Sequence, residues 1–442
     1  MVRVTAITKQ HPAQSAPMDD SVKPIQRIIE QLREASADAS NIVEAANEPE
    51  NDESPALSAE ADAESDSKGF QQVRATLNHI FMALVLCVAG LALVWTANKR
   101  FAPLLFDDAA VERVADAFSE GRNYAVFDLN IDIRDLRNAH IAKLSKAPEV
   151  AILGASHWQE AHAYLLPSHD MYNSHVHRDY YEDMLAVTEM YIRHGKLPGK
   201  MIITIRDNLF TPVSERTDFL WLPGIKYYRV MALRLGLQPH SKWLTLPVEN
   251  WKEQLSFNFL RENLARELAA PAMPHATRDQ DFRTLDTLLP DGSIRWSGEH
   301  LDSFTRERSR KEALAFADMR RNDPPRVDPE GVKAIDALLG FLKGRGVEVY
   351  LAHPPFNPLF HEAVAGSPYE RGLAEIIRTT KSLAEKYRIP VIGSFDANEV
   401  GCSAAMYIDA EHAGPECLAK ILNEFARLDQ ANEQASQTKR GQ

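Results

Sequence analysis

An uninterrupted apolar run, IFMALVLCVAGLALVWTA at residues 80–97, divides the chain into unequal parts before any other feature is weighed. It carries no charge, and with its flank from about Thr76 it reaches the roughly 20 residues that a helix needs to cross a bilayer. Trp95 lies near one end, where interfacial aromatics gather. A cleavable signal peptide is expected at the extreme N-terminus, whereas this run follows a long acidic segment. The sequence therefore predicts a transmembrane signal anchor over 77–97, the alternative being the core helix of a soluble domain. Flanking charge does not orient it. Lys68 and Arg74 precede the run and Lys99, Arg100 and Arg113 follow it, a near balance that leans slightly against export of the larger part.

Residues 1–76 are rich in Ala, Ser, Asp and Glu, and EAANEPENDESPALSAEADAESDSKG has hardly a large apolar side chain. Such a segment cannot bury enough surface to offset its chain entropy, so a disordered cytoplasmic tail is expected. Within it, VKPIQRIIEQLREA sets Ile25, Ile28, Ile29 and Leu32 on one helical face, either a transient helix or a docking helix for a cytoplasmic partner. The formal charge of −12 argues against a nucleic-acid binder, which would carry a basic patch or stripe.

From residue 101 the pattern changes to alternating amphipathic helices and short apolar strands. The strands EVAILGAS, KMIITIRDN, VEVYLAHPP and IPVIGSFD alternate with the helices YYEDMLAVTEMYIRHG, GVKAIDALLGFLKGRG, YERGLAEIIRTTKSLAEKYR and GPECLAKILNEFARL. Spacing of this kind implies right-handed crossovers and a parallel sheet covered on both faces, that is, an α/β domain over about 101–430. The stretch 212–330 is too long for a loop, and pieces such as YYRVMALRLG and NFLRENLARELAA predict a helical insertion or lid. Residues 431–442 read as a disordered tail. In open parallel sheets ligands bind beyond the carboxyl ends of the strands. Ser156, Asp207-Asn208 and His353 all fall at such ends.

Ser156 follows VAILGA, so it is either a nucleophile presented at a strand end or the cap of an ordinary helix. A serine hydroxyl attacks a carbonyl only with a base to take its proton and donors to hold the developing oxyanion. MYIDAEHAGPECLAKIL supplies a base and a carboxylate, His412 and Asp409, on one short turn before the last helix. Asn208 is a candidate oxyanion donor or a loop cap, and AHPPFNP reads as a rigid turn whose His353 could line the site. His157, His162, His169, His175 and His177 cluster near these motifs, yet no HExxH and no cysteine pair at zinc-ligand spacing accompanies them, so no metal and no cofactor is expected. Of the three cysteines, Cys87 lies in the apolar run, while Cys402 and Cys417 bracket Asp409 and His412. In an oxidising compartment they can pair, closing a loop worth about 3 kcal/mol; otherwise they are two buried thiols.

Ser156 after the first strand, Asn208 in a turn after a later one and the DxxH of Asp409 and His412 together resemble the SGNH (GDSL-like) hydrolases. The nearest likeness is to the membrane-anchored O-acyltransferase branch that modifies exported polysaccharides, as in alginate O-acetylation and teichoic-acid D-alanylation. The resemblance spans roughly 148–425 and leaves 212–330 outside any motif. It implies a three-layer α/β/α fold with a flavodoxin-like sheet, Ser156 as nucleophile, His412 as general base and Asp409 as its orienting carboxylate. It also implies an oxyanion hole built from the serine N–H, a glycine N–H of a second motif and an asparagine of a third. Two positions depart from the pattern. Ala155 stands where an aspartate is usual, as in the acyltransferase branch, and MYNSHVHRDYY has no glycine, Arg178 falling about there. The third motif keeps Asn208, with Asp207 beside it.

The resulting expectation is a single-pass protein of a bacterial inner membrane with its catalytic domain in the periplasm. It would move an acyl group, most simply acetyl, through an acyl-serine onto a polysaccharide hydroxyl. A multi-span membrane acyltransferase would supply that group from the cytoplasmic side. Two alternatives use the same residues: an esterase that removes acetyl groups, and a non-catalytic polysaccharide-binding scaffold, favoured by the missing glycine.

Overall fold

The structure is a computed structural model that describes residues 59–101, 108–125, 131–212, 224–239, 261, 276–277, 286–303 and 305–440. The first part of the acidic tail with its isoleucine-rich segment, and NFLRENLARELAA apart from Arg261, lie outside the described residues. The chain divides into two compact units at Trp95–Thr96.

The apolar run lies in one long helix, α1 (Ala59–Phe101). Its stretch Arg74–Thr96 is 23 residues of spanning length and composition, which at 1.5 Å per residue is about 35 Å, enough for the hydrocarbon core. Leu77, Ile80, Phe81, Leu86 and Leu93 point outward and find no protein cover. The helix starts at Ala59, inside the tail for which disorder was expected. Extending an existing helix through Ala, Glu and Gln requires no new nucleus.

The second unit opens with α2 (Asp108–Ser119), β1 (Asn123–Ala125), α3 (Ile133–Lys143), β2 (Val150–Leu153), β3 (Met171–Asn173), α4 (Tyr181–Arg193) and β4 (Lys200–Thr204). It continues through α5 (Ile225–Arg234), β5 (Ala276–Thr277), β6 (Thr287–Leu288), β7 (Ile294–Arg295), α6 (Gly298–Ser303) and α7 (Arg306–Arg320). It closes with α8 (Pro329–Gly344), β8 (Glu348–His353), α9 (Pro358–Ala363), α10 (Pro368–Tyr387), β9 (Val391–Gly393), α11 (Ala397–Val400) and α12 (Pro415–Arg440). The stretch 212–330, expected to be helical, holds among its described residues both helices (α5, α6, α7) and strands (β5, β6, β7). α12 runs on through 431–440, where a disordered tail was expected; ANEQASQTKR contains good helix formers that propagate a helix already packed at its start.

Among the described residues the main sheet has five parallel strands in the order β3-β2-β4-β8-β9. β2 comes first in the chain, so the order doubles back between β2 and β4, the kind of switch point at which a crevice opens beyond the strand ends. Strand residues alternate between two apolar clusters. Ala151, Leu153, Met201, Ile203, Val349 and Leu351 share one with Leu136, Met184, Leu338 and Ile376 of the flanking helices. Val150, Ile152, Ile202, Tyr350 and Ala352 share the other with Leu418, Ile421, Leu422 and Phe425 of α12. Every residue of β2 is buried, which explains its unbroken apolar sequence. Each such side chain is worth roughly 1.5–3 kcal/mol relative to exposure, so a charge on either face of β2 would not be tolerated. Helix starts are fixed locally: Asp328 caps α8 and Ser367 caps α10, each followed by a proline in the first turn.

A smaller antiparallel sheet, β5-β1-β6-β7, lies outside the main one. The β6–β7 turn, Leu289–Ser293, docks on the loops after β2 and β3. The Asp291 carbonyl accepts from Asn173 N at 2.7 Å, the Asp291 carboxylate accepts from Ala163 N at 2.6 Å, and Arg137 donates to the Gly292 carbonyl at 2.6 Å. Gly292 has φ +83°, and a Cβ there would run into the Asn173 carbonyl, so this turn requires glycine.

Candidate active site

β2 ends at Leu153 and the chain turns through Gly154-Ala155 into a short 3-10 turn, Ser156–Trp158. Gly154 has a steric reason: a Cβ would overlap the Thr204 side chain at the end of β4. The turn is pinned from beneath. The Asn173 carboxamide donates to the carbonyls of Trp158 at 2.6 Å and Ala161 at 3.1 Å, and Val176 N donates to the Gly154 carbonyl at 2.8 Å. Ser156 therefore stands on a rigid support at the carboxyl edge of the sheet.

The loop before α12 comes back over that edge. Ser156 Oγ lies 2.9 Å from His412 Nε2, and His412 Nδ1 lies 2.8 Å from Asp409 Oδ2. Asp409 Oδ1 accepts from the backbone N–H groups of Glu411 and His412, both at 2.8 Å, which fixes the carboxylate. With Nδ1–H donated to Asp409, Nε2 is left to accept the serine proton. The side chains of His412 and Asp409 are 24% and 29% exposed, so the relay opens to solvent on one side. Burial opposes the charged imidazole of His412, but the Asp409 charge and hydrogen bond prevail, aided by Glu411, and raise it to about 8. Burial likewise opposes the Asp409 charge, and His412 with the two backbone donors lowers it to about 2. This is the polarity that general-base activation of a hydroxyl needs.

The loop is held at three points. Cys402 and Cys417 form a disulfide with Cα atoms 5.4 Å apart. Tyr407 and Ala413 form a β-bridge. Asn357 of the AHPPFNP turn donates from Nδ2 to the Asp409 carbonyl at 3.0 Å and from its backbone to the Ala410 carbonyl at 3.1 Å. The rigid turn expected at AHPPFNP is thus a clamp on the loop. Asn357 and Asn173 escaped the sequence reading, although an Asn beside Pro or at a strand end is a local signal for such a bond.

The other candidates are placed as follows. Arg178 is exposed and has φ +48°, the left-handed region that glycine favours. Asn208 is half-buried in the turn after β4, and its Oδ1 is a buried acceptor with no hydrogen bond. Asp207 is fully buried and bonded to Tyr369 Oη at 2.7 Å and Arg320 at 3.0 Å, with Arg206 Nε at 3.4 Å. Burial opposes its charge, yet Arg206 and Arg320 hold it down at about 2. It orders the charges around Arg206 and does not face the relay. His353 donates from Nδ1–H to the Ile205 carbonyl at 3.0 Å and packs on Phe395; burial pushes it down to about 4, so it is a neutral ring that ties β8 to the end of β4. His162 bonds Ser293, and His169 bonds Asp429. Among the described residues no three His, Cys, Asp or Glu side chains gather as metal ligands. Glu160, one turn beyond the serine, is buried, and burial pushes it up to about 8, so it is protonated at neutral pH.

No family model matches this chain, and no curated protein matches it.

Proposed function

We propose that the chain is a membrane-anchored serine O-acyltransferase of the SGNH type, with a three-layer α/β/α domain of flavodoxin-like order, and that it transfers an acyl group, most simply acetyl, to a hydroxyl of an exported polysaccharide. The observation that carries this reading is the continuous relay Ser156–His412–Asp409 at the carboxyl edge of the sheet. Ser156 Oγ attacks the acyl carbonyl of the donor while His412 Nε2 takes its proton; the tetrahedral adduct collapses, and His412 returns the proton to the departing group. The acceptor hydroxyl then attacks the acyl-serine, passes its proton to His412, and leaves as the ester while Ser156 is regenerated. In this reading the oxyanion is held by the Ser156 N–H, by Asn208 and by a backbone N–H near Arg178, whose φ of +48° is one that the family's glycine would adopt.

In this reading the span Arg74–Thr96 anchors the protein in a bacterial inner membrane, with the domain from Thr96 onward in the periplasm. The Cys402–Cys417 disulfide supports an oxidising compartment. A multi-span membrane partner delivers the acyl group outward. The test is the acetyl content of the exported polysaccharide in cells carrying wild-type or Ser156→Ala protein. Loss of acetyl in the variant supports transfer, gain supports ester removal by the same relay, and equal content rejects both.

A further inference from the structure

Ser156 and His157 are adjacent in one turn, and the loop Asp409-Ala410-Glu411-His412 carries two carboxylates and one imidazole opposite them. Asp409 serves His412. Glu411 faces His157, with Oε1 3.7 Å from Nε2. The His157 ring is buried, its side chain 2% exposed, and neither ring nitrogen has a hydrogen-bond partner, so Glu411 is its polar neighbour. The rings of His157 and His412 lie 5.5 Å apart at 32°, and Phe356 closes the far side of His157 edge-on at 6.1 Å. A buried imidazole with both nitrogens unpartnered is a costly way to fill space.

We propose that His157 and Glu411 form a second imidazole–carboxylate couple, parallel to His412–Asp409, which holds the ring of His412 in register with Ser156 and places a second negative charge beside it. The inference rests on reading Ser156, His412 and Asp409 as an acyl-transfer relay. Register follows from the pairing. Each residue of the nucleophile turn, 156 and 157, meets its own partner on the loop, 412 and 411, so sliding the loop would break both contacts. Charge follows from the surroundings. Burial keeps His157 neutral, with Glu411 pulling the other way and Arg206 and His412 disfavouring its proton, so the Glu411 charge is not cancelled. Glu411 is held low although burial opposes its charge, the fixed positive charge of Arg206 helping to keep it ionised. The groups facing His412 are Asp409 and Glu411 from its own loop, Arg206 from the end of β4, Glu160 and His157 from the nucleophile turn, and His177 after β3. Those facing His157 are Glu411, Arg206, Asp207 and His412.

The test uses the full chain in detergent micelles, labelled at histidine for NMR, with fluorophosphonate reactivity of Ser156 measured in parallel. In Glu411→Gln the titration midpoint of His412 should fall by about half a unit to one unit, and Glu411→Asp should restore most of it. His157→Phe, which keeps an aromatic ring but removes both ring nitrogens, should slow fluorophosphonate labelling about tenfold or more at a pH where His412 is neutral in both proteins. A midpoint in Glu411→Gln equal to wild type, together with His157→Phe labelling at the wild-type rate, overturns the couple whether or not Ser156 is reactive. A moved midpoint with an inert Ser156 leaves the couple standing and rejects the relay as a catalyst. Should Glu411→Gln fail to fold, Glu411→Ala, which also removes the charge, carries the same comparison through the position of the His412 midpoint.

Discussion

Removing the Cys402–Cys417 bridge should cost both stability and rate, and the size of each follows from where the bridge sits. The cysteines are 15 residues apart in sequence and both are buried in the cluster formed with α12. Opening a loop of that length returns about 3 kcal/mol of chain entropy to the unfolded state. For a folded unit the size of Thr96–Gln442, that corresponds to a melting temperature lower by about 4 °C. The same loop carries Asp409 and His412. Asn357 and the Tyr407–Ala413 bridge still hold it after reduction, so the base is loosened and not released. A displacement near 1 Å would lower ester turnover by up to about a hundredfold, and a partial one by about tenfold. Calorimetry and turnover of a chromogenic acetyl ester by the full chain in detergent, for Cys402→Ala and for wild type with and without reductant, measure both. Thiol titration of unfolded, unreduced protein should find Cys87 alone. Three titrating thiols, or an intact bridge whose reduction leaves both the melting temperature and the rate unchanged, would refute the reasoning.

Three further outcomes are expected. Ester turnover should rise with pH through a midpoint near 8 as His412 loses its proton, and the stability that His412 gains from Asp409, present in full below its unfolded value of 6.5, should be lost as pH rises through about 8; a pH-independent rate would contradict this. Gly154→Ala should destabilise the domain by about 1–3 kcal/mol, because a Cβ overlaps buried Thr204, and should slow fluorophosphonate labelling of Ser156; denaturant unfolding and labelling kinetics check it. An alkaline phosphatase fused at the C-terminus should be active and one fused near residue 70 inactive, the reverse placing the domain in the cytoplasm.

The parts of the fold legible in the sequence were those with a long apolar or periodic signal. β2 and the centres of β4 (Met201–Ile203) and β8 (Val349–Ala352) are buried and read as short apolar runs. The helix long and apolar enough to cross a membrane announced itself by length and lack of charge. What escaped was short or held by tertiary contacts. β3 is three residues, Met171–Asn173, inside a histidine-rich segment, and its strand state comes from pairing with β2. The strands β5, β6 and β7 are two residues each, below any period-2 signal, although Pro290-Asp291-Gly292-Ser293 marks a turn that the sequence reading passed over. Within the site, Asp409 and His412 were legible because they stand three apart on one turn, and Ser156 because it directly follows an apolar strand. Asp207 and His353 sat at the right strand ends but point into buried networks, since a strand end fixes a residue's height in the sheet and not the direction of its side chain. His157 and Glu411 were hidden because they are paired across 254 positions of sequence, 411 − 157, with nothing local to connect them.

The most direct measurement of the central claim is peptide mapping by mass spectrometry after treating the full chain, in detergent, with a fluorophosphonate. The account predicts one covalent adduct, on Ser156, formed rapidly in wild type, absent in Ser156→Ala, and slowed at least a hundredfold in His412→Ala, since serine and base act as a unit. No adduct on Ser156 in folded wild-type protein, or labelling of that serine at an undiminished rate in His412→Ala, would contradict it.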